Sequence, residues 1–151
     1  MKIVIASDHA GFDYKTILFK EIQEHGFDVT DMGTRNPELP DDYPDYAVII
    51  ANSIINKQAD RGILICGSGV GVSVAANKFK GIRAGVCHDT YSAHQCAEHD
   101  NANVLCIGER VIGIELAREI VFAFLHARFS NEERHVRRLE KVNAIEDKNM
   151  K

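Results

Sequence analysis

The sequence predicts a doubly wound, three-layer α/β sheet, and three observations predict it. Short β-branched-rich runs alternate with longer amphipathic runs along most of the chain. Parallel strands need crossover connections, which are nearly always right-handed, so the alternation implies helices on both faces of one sheet. The third apolar run ends in a cysteine and three alternating glycines that open a helix, which puts a sharp turn at the carboxyl edge where such sheets bind ligands.

Lys2 to Ala6 reads as the first strand and Tyr14 to Glu24 as the first helix. Asp28 to Met32 is the second strand, and Tyr46 to Asn56 the helix that returns the chain to the sheet. Gly62 to Ile65 is apolar without alternation, as expected for a strand buried on both faces. A helix from about Val70 to Lys78, a strand from Arg83 to Cys87 and a helix from about Tyr91 to Glu98 follow, then a strand at Val104 to Ile107 and a helix at Gly113 to Ala127. The tail, SNEERHVRRLEKVNAIEDK, departs from the alternation as a charged helix with an apolar stripe of Leu139, Val142 and Ile145. Ser130 or Asn131 is placed to cap it, Glu132 and Glu133 complement its N-terminal end, and the stripe needs a surface on this domain or on a second copy.

A chain of 151 residues fits one domain, 1–151, and at this size roughly 68–70% of the unfolded surface is buried on folding. The four cysteines form no tight disulfide framework, and MKIVIASDHAG has too short an apolar run for a signal peptide, so a cytoplasmic protein is expected. A net charge of -4 with no long basic block argues against nucleic acid as a partner, and no apolar run approaches the roughly 20 residues of a membrane span. Small-molecule chemistry is the better expectation.

The segment Arg61 to Ser73, RGILICGSGVGVS, is where chemistry is expected. Cys66 falls at the tip of the third strand, and Gly67, Gly69 and Gly71 let the backbone approach a ligand while the next helix aims its free N–H groups at the same spot. Helix dipole and N–H donors favour a thiolate there, so Cys66 is suited to act as base or nucleophile. The loop is not a dinucleotide fingerprint, because Val72 stands where GxGxxG requires glycine, and no Lys-Ser or Lys-Thr pair closes it as a P-loop. It is built for one anionic or oxyanionic group. The carboxyl-edge rule gathers Ser7, Asp8 and His9, Gly33 and Thr34, and Cys66 to Gly71 onto one rim. His99, before the polar run Asp100, Asn101 and Asn103, is either a helix C-cap or a proton-transfer group. Arg134 and Arg138 share a helical face, as a solvated face or as a clamp for phosphate. Cys87, His88, His94, Cys96 and His99 match no metal-ligand spacing, so no metal site is expected.

The motifs ASDHAG, DYPDYA at 42–47, GILICGSGVGVSVAANKFKGIRA, YSA at 91–93, HDNANVLCIGERVIG, and Arg134 with His135 resemble the type B ribose-5-phosphate isomerases, over Met1 to about Glu146. The resemblance implies a Rossmann-like fold and an aldose-ketose isomerase of sugar phosphates that needs no metal or cofactor. It also implies a homodimer or tetramer with active sites between subunits. Cys66 corresponds to the catalytic base, and His99 to the ring-opening group supplied by the neighbouring subunit. Asp8 and His9 correspond to a substrate-binding pair, Tyr43 to an aromatic pocket wall, and Gly67, Ser68, Gly69, Val70 and Gly71 to the enediolate anion hole. Arg110, Arg134 and Arg138 correspond to phosphate or substrate contacts. Ser68 replaces a frequent threonine and keeps the hydroxyl. Asp100 replaces a frequent asparagine, so an ionised carboxylate must accept where the amide could donate, or the contact passes to Asn101. Galactose-6-phosphate isomerase subunits share the fold but commonly lack one of the cysteine and histidine positions, all of which this chain retains. Allose 6-phosphate or another hexose phosphate is the alternative substrate, and a non-catalytic phosphate-binding module the alternative function.

Overall fold

A computed structural model describes residues 1–150. The elements are β1 (Lys2–Ser7), α1 (Phe12–Glu24), β2 (Asp28–Asp31), α2 (Tyr43–Ile55), β3 (Arg61–Cys66), α3 (Val70–Ala76), β4 (Ala84–Val86), α4 (Thr90–Asp100), β5 (Val104–Gly108), α5 (Ile114–His126) and α6 (Glu133–Asn149). A 3-10 turn at His9–Gly11 precedes α1. The five strands are all parallel, in the order β2-β1-β3-β5-β4. The predicted fold class is therefore the observed one.

Alternation along the strands divides the core between two helical layers. Ile3, Ile5, Ile63, Ile65, Leu105 and Ile107 pack against α1, α4 and α5, while Val4, Ala6, Leu64, Cys66, Val104 and Cys106 pack against α2 and α3. All six residues of β3 are buried, which is why its sequence does not alternate. The chain leaves β1 toward one layer and β3 toward the other, so the two neighbouring strands part at their carboxyl ends. This switch point is where a crevice must open.

Two buried cations fix the framework around it. Lys15 donates to Asp31 Oδ2 at 2.6 Å and to the Thr34 carbonyl at 2.8 Å, tying α1 to the loop after β2. Arg61, at the start of β3, donates to the carbonyls of Phe124 and, at 2.8 Å, Ala127, satisfying the last turn of α5 that has no further N–H to meet it.

The element boundaries depart from expectation at four places. Helix α2 starts at Tyr43, earlier than the apolar pattern indicates, because Pro44 fits the first turn, where no N–H partner is required. Helix α3 ends at Ala76, where the side chain of Asn77 turns to bond both the N–H and the C=O of Ala84. Strand β4 is correspondingly short. The cap of α6 is Glu132, with no side-chain hydrogen bond to the helix: Asn131 adopts φ of 56°, and Ser130, two residues before the cap, bonds Glu132 N at 3.2 Å and His135 Nδ1 at 2.6 Å. Val142 and Ile145 of the α6 stripe border a cavity of about 380 Å³ with Ile82, Ala84 and Ala102 but stay more than half exposed, so this domain covers the stripe only in part.

Candidate active site

The turn after β3 is held by contacts that only its glycines permit. Gly69 has φ of 79°, and its N–H donates to Cys66 Sγ at 3.1 Å, so the buried sulfur sits under a backbone donor that complements negative charge on it. A side chain on Gly71 would place Cβ 2.8 Å from the Tyr43 ring, so this glycine lets Tyr43 lie against the start of α3. Gly108, paired in register with Cys66, supports the loop from β5, and a Cβ there would stand 2.5 Å from the Ser68 carbonyl carbon. Backbone cannot yield as a flexible side chain does. Gly108→Ala is expected to shift Ser68 and Gly69, lowering turnover at least tenfold and stability by about 1–3 kcal/mol, as read from steady-state kinetics and urea unfolding.

Across the switch point, Asp8 caps the 3-10 turn, accepting from Ala10 N at 3.0 Å and Gly11 N at 3.2 Å. Burial raises its carboxyl above the ordinary value, with the neighbouring His9 opposing the rise. His9 is held by Asp41, whose Oδ1 accepts the His9 main-chain N–H at 2.8 Å and lies 2.6 Å from Nδ1. The Tyr46 hydroxyl donates to the other oxygen at 2.6 Å. Burial works to raise the Asp41 carboxyl, but the Tyr46 and His9 donors outweigh it and hold the group below its ordinary value. Asp8, His9, Tyr43, Cys66, Ser68 and Arg110 border one cavity of about 410 Å³, joined by Gly67 and Gly71. Val70 and Gly69 lie in the same turn, Val70 exposed and Gly69 packed on Ile107.

The other expected residues lie elsewhere. Helix α4 runs back toward the amino ends of the strands, and Asn103, just beyond it, accepts from Gly62 N at 2.8 Å at the start of β3. Cys66 is at the far end of that strand, so His99 and Cys66 of one chain stand at opposite ends of the sheet, set apart by a six-residue strand about 17 Å long. His99 Nδ1 meets Gln95 Nε2 at 3.0 Å, and its ring stacks on His135 with centroids 4.0 Å apart. Asp100 and Arg138 border a separate cavity of about 230 Å³ with Arg83, while Arg134 pairs with Glu132 at 2.8 Å. The thiol, donor loop and Arg110 thus gather at one edge of the sheet, and the imidazole and the α6 arginines at another.

His135 is 1% exposed, and burial holds its imidazole below the ordinary value, with the charge of His99 acting in the same direction. The unfolded chain therefore binds this proton more tightly. Stability is full above pH of about 6.5 and falls as pH drops from there toward the lower folded value. His135→Phe is expected to flatten that decline, as measured by urea unfolding at successive pH values.

Among the described residues, Asp8, His9 and Asp41 alone group three metal-type donor atoms, within 4.8 Å of one another. Both Asp41 oxygens and Asp8 Oδ1 are already engaged by protein donors. Cys87 and Cys96 place their sulfurs 3.9 Å apart in one core layer, and Cys106, whose thiol burial pushes up, lies in the other, so all three are packing residues. Asp41 and Tyr46 escape sequence reasoning, since a pairing 32 residues apart carries no local periodicity. Gln95 was equally silent, although its i,i+4 spacing to His99 is a usable signal. No helix among the described residues is long and apolar enough to cross a membrane.

Residues 3–142 match the ribose/galactose isomerase family. The chain is 46% identical to ribose-5-phosphate isomerase B of Escherichia coli, over 97% of each chain. It is 42% identical to D-erythrulose-4-phosphate isomerase 2 of Mycolicibacterium smegmatis, again over 97% of each. The solved structure of Clostridium thermocellum ribose-5-phosphate isomerase B superposes with a TM-score of 0.94 at 44% identity, covering 98% of this chain and 99% of that one. With matches spanning nearly its whole length, the chain belongs to the ribose/galactose isomerase family and is an aldose-ketose isomerase.

Proposed function

We propose that the protein interconverts ribose 5-phosphate and ribulose 5-phosphate, a step of the pentose phosphate pathway, in active sites each shared by two copies of the chain. The observation that carries this reading is the buried Cys66 thiol under the Gly69 N–H, in one cavity with Asp8, His9 and Arg110. The sugar is mainly a furanose, so the ring opens first, with His99 of the partner subunit moving the proton between ring oxygen and anomeric hydroxyl. Cys66 then removes the C2 proton and returns it to C1, while the O2 hydroxyl proton passes to O1 through the enediolate. A C2 hydrogen is far less acidic than a thiol, so the larger requirement is stabilising the cis-enediolate. The N–H groups from Gly67 to Gly71 and the Ser68 hydroxyl supply it, at about 2.7–4 kcal/mol for a donor of this kind. Arg110 of the same chain, with Arg134 and Arg138 of the partner subunit, anchors the phosphate and brings the reacting atoms into register.

Exposed apolar residues support a second copy on this edge. Val70, Val74, Tyr91 and Val111 are 54%, 56%, 71% and 53% exposed. The four cysteines are unpaired, which suits a reducing cytoplasm. Similarity to a D-erythrulose-4-phosphate isomerase supports a second reading, in which a four-carbon phosphate is preferred. Incubation with each sugar phosphate in the presence of a chelator tests both. The expected result is ribulose 5-phosphate formation insensitive to chelator, with the higher kcat/KM on the pentose; a higher value on D-erythrulose 4-phosphate selects the second reading. No turnover of either overturns both.

A further inference from the structure

We propose that Asp41 is a positioning residue that fixes the imidazole of His9, keeping a proton on Nδ1 and presenting Nε2 to the sugar phosphate. The inference rests on the reading that His9 contacts substrate. The His9 side chain is 37% exposed, so packing alone does not set its rotamer. What sets it is one carboxylate oxygen, Asp41 Oδ1, which takes both the His9 main-chain N–H and Nδ1 and so closes a ring through the residue's own backbone. A carboxylate only accepts, and Asp41 Oδ1 stands 2.6 Å from Nδ1 while the Asp41 main-chain N–H is farther off at 3.4 Å, so the short contact places the hydrogen on Nδ1 and leaves Nε2 for the cavity that His9 borders.

Asp8 turns its Oδ1 to Ala10 and Gly11, whereas the His9 ring bonds Asp41. Asp41 is itself held on its second oxygen by Tyr46, whose helix α2 also carries Tyr43, the wall of the same cavity. The chain Tyr46–Asp41–His9 thus joins α2 to the turn after β1 across the switch point. It also sits at the end of the loop from β2, whose beginning Lys15 already fastens through Asp31 and Thr34. The loop's start being held independently, a loss at Asp41 is felt first at His9.

The test measures kcat and KM for ribose 5-phosphate in the wild-type enzyme and in His9→Ala, Asp41→Ala and Asp41→Asn, with nitrogen NMR of the His9 ring assigned by difference from His9→Gln. Asp41→Ala is expected to raise KM about tenfold with kcat within about twofold, and to shift the His9 signals away from the Nδ1–H form. Asp41→Asn keeps an oxygen acceptor, so it should recover most of the KM and the ring signature. If His9→Ala is impaired while Asp41→Ala matches wild type, or if Asp41→Ala raises KM with the His9 signals unmoved, Asp41 does not position His9. If His9→Ala itself keeps wild-type kinetics, the substrate contact on which the inference rests is wrong.

Discussion

Cys66→Ala is expected to lower kcat for ribose 5-phosphate by about 10²–10⁴-fold, the range that a positioned general base contributes. KM should change little, because the phosphate contacts are untouched. Cys66 is buried, but its sulfur bonds only the Gly69 N–H, so removing it leaves one loop donor unpaired and should cost about 1–2 kcal/mol of stability. Cys66→Ser tests the chemistry more closely. It keeps an acceptor for Gly69 but substitutes a hydroxyl far less able to ionise, so the fold is expected to recover and the rate not. Ribulose 5-phosphate formation and thermal unfolding are the measurements, and activity within tenfold of wild type in Cys66→Ala would remove the thiol as base.

Mixing two dead enzymes should give a live one. Cys66 and His99 lie at opposite ends of β3 and α4, so a shared active site takes one from each copy. Co-expression of Cys66→Ala with His99→Asn yields heterodimers in which one site carries both substitutions and the other neither. With random pairing about a quarter of all sites are intact, so about a quarter of wild-type activity is expected, against almost none from either variant alone. Activity no greater than that of the two variants assayed separately would confine each site to one chain. His99→Asn alone should lose more on the cyclic sugar than on an open-chain analogue, since only the former needs its ring opened.

The fold was legible because each strand carries its own evidence. The unbroken apolar run at Gly62 to Ile65 identified a central strand, and the glycines after Cys66 identified its carboxyl turn. The rim rule then brought Asp8 and His9 to Cys66, residues nearly sixty positions apart that share one cavity. Helix ends are less legible: the side-chain cap assigned to Ser130 or Asn131 is absent because Asn131 takes a left-handed turn, which asparagine tolerates, and leaves Glu132 as the cap. The Asp41 contacts were invisible for a related reason. A carboxylate in the run PDDYPDY reads as solvated until the fold puts His9 and Tyr46 on its two oxygens.

Strand β3 has Arg61 at one end, fastened to the last turn of α5, and Cys66 at the other. It therefore acts as a ruler between the edge that offers a thiol and the edge that offers a histidine. Rim loops can lengthen or shorten without moving either edge, but a one-residue insertion in β3 would turn Cys66 from the α2 and α3 layer to the opposite one. Redesign of this enzyme for longer or shorter sugars thus has its freedom in the loops after β2 and β5, while the length of β3 is fixed by the two edges it holds apart.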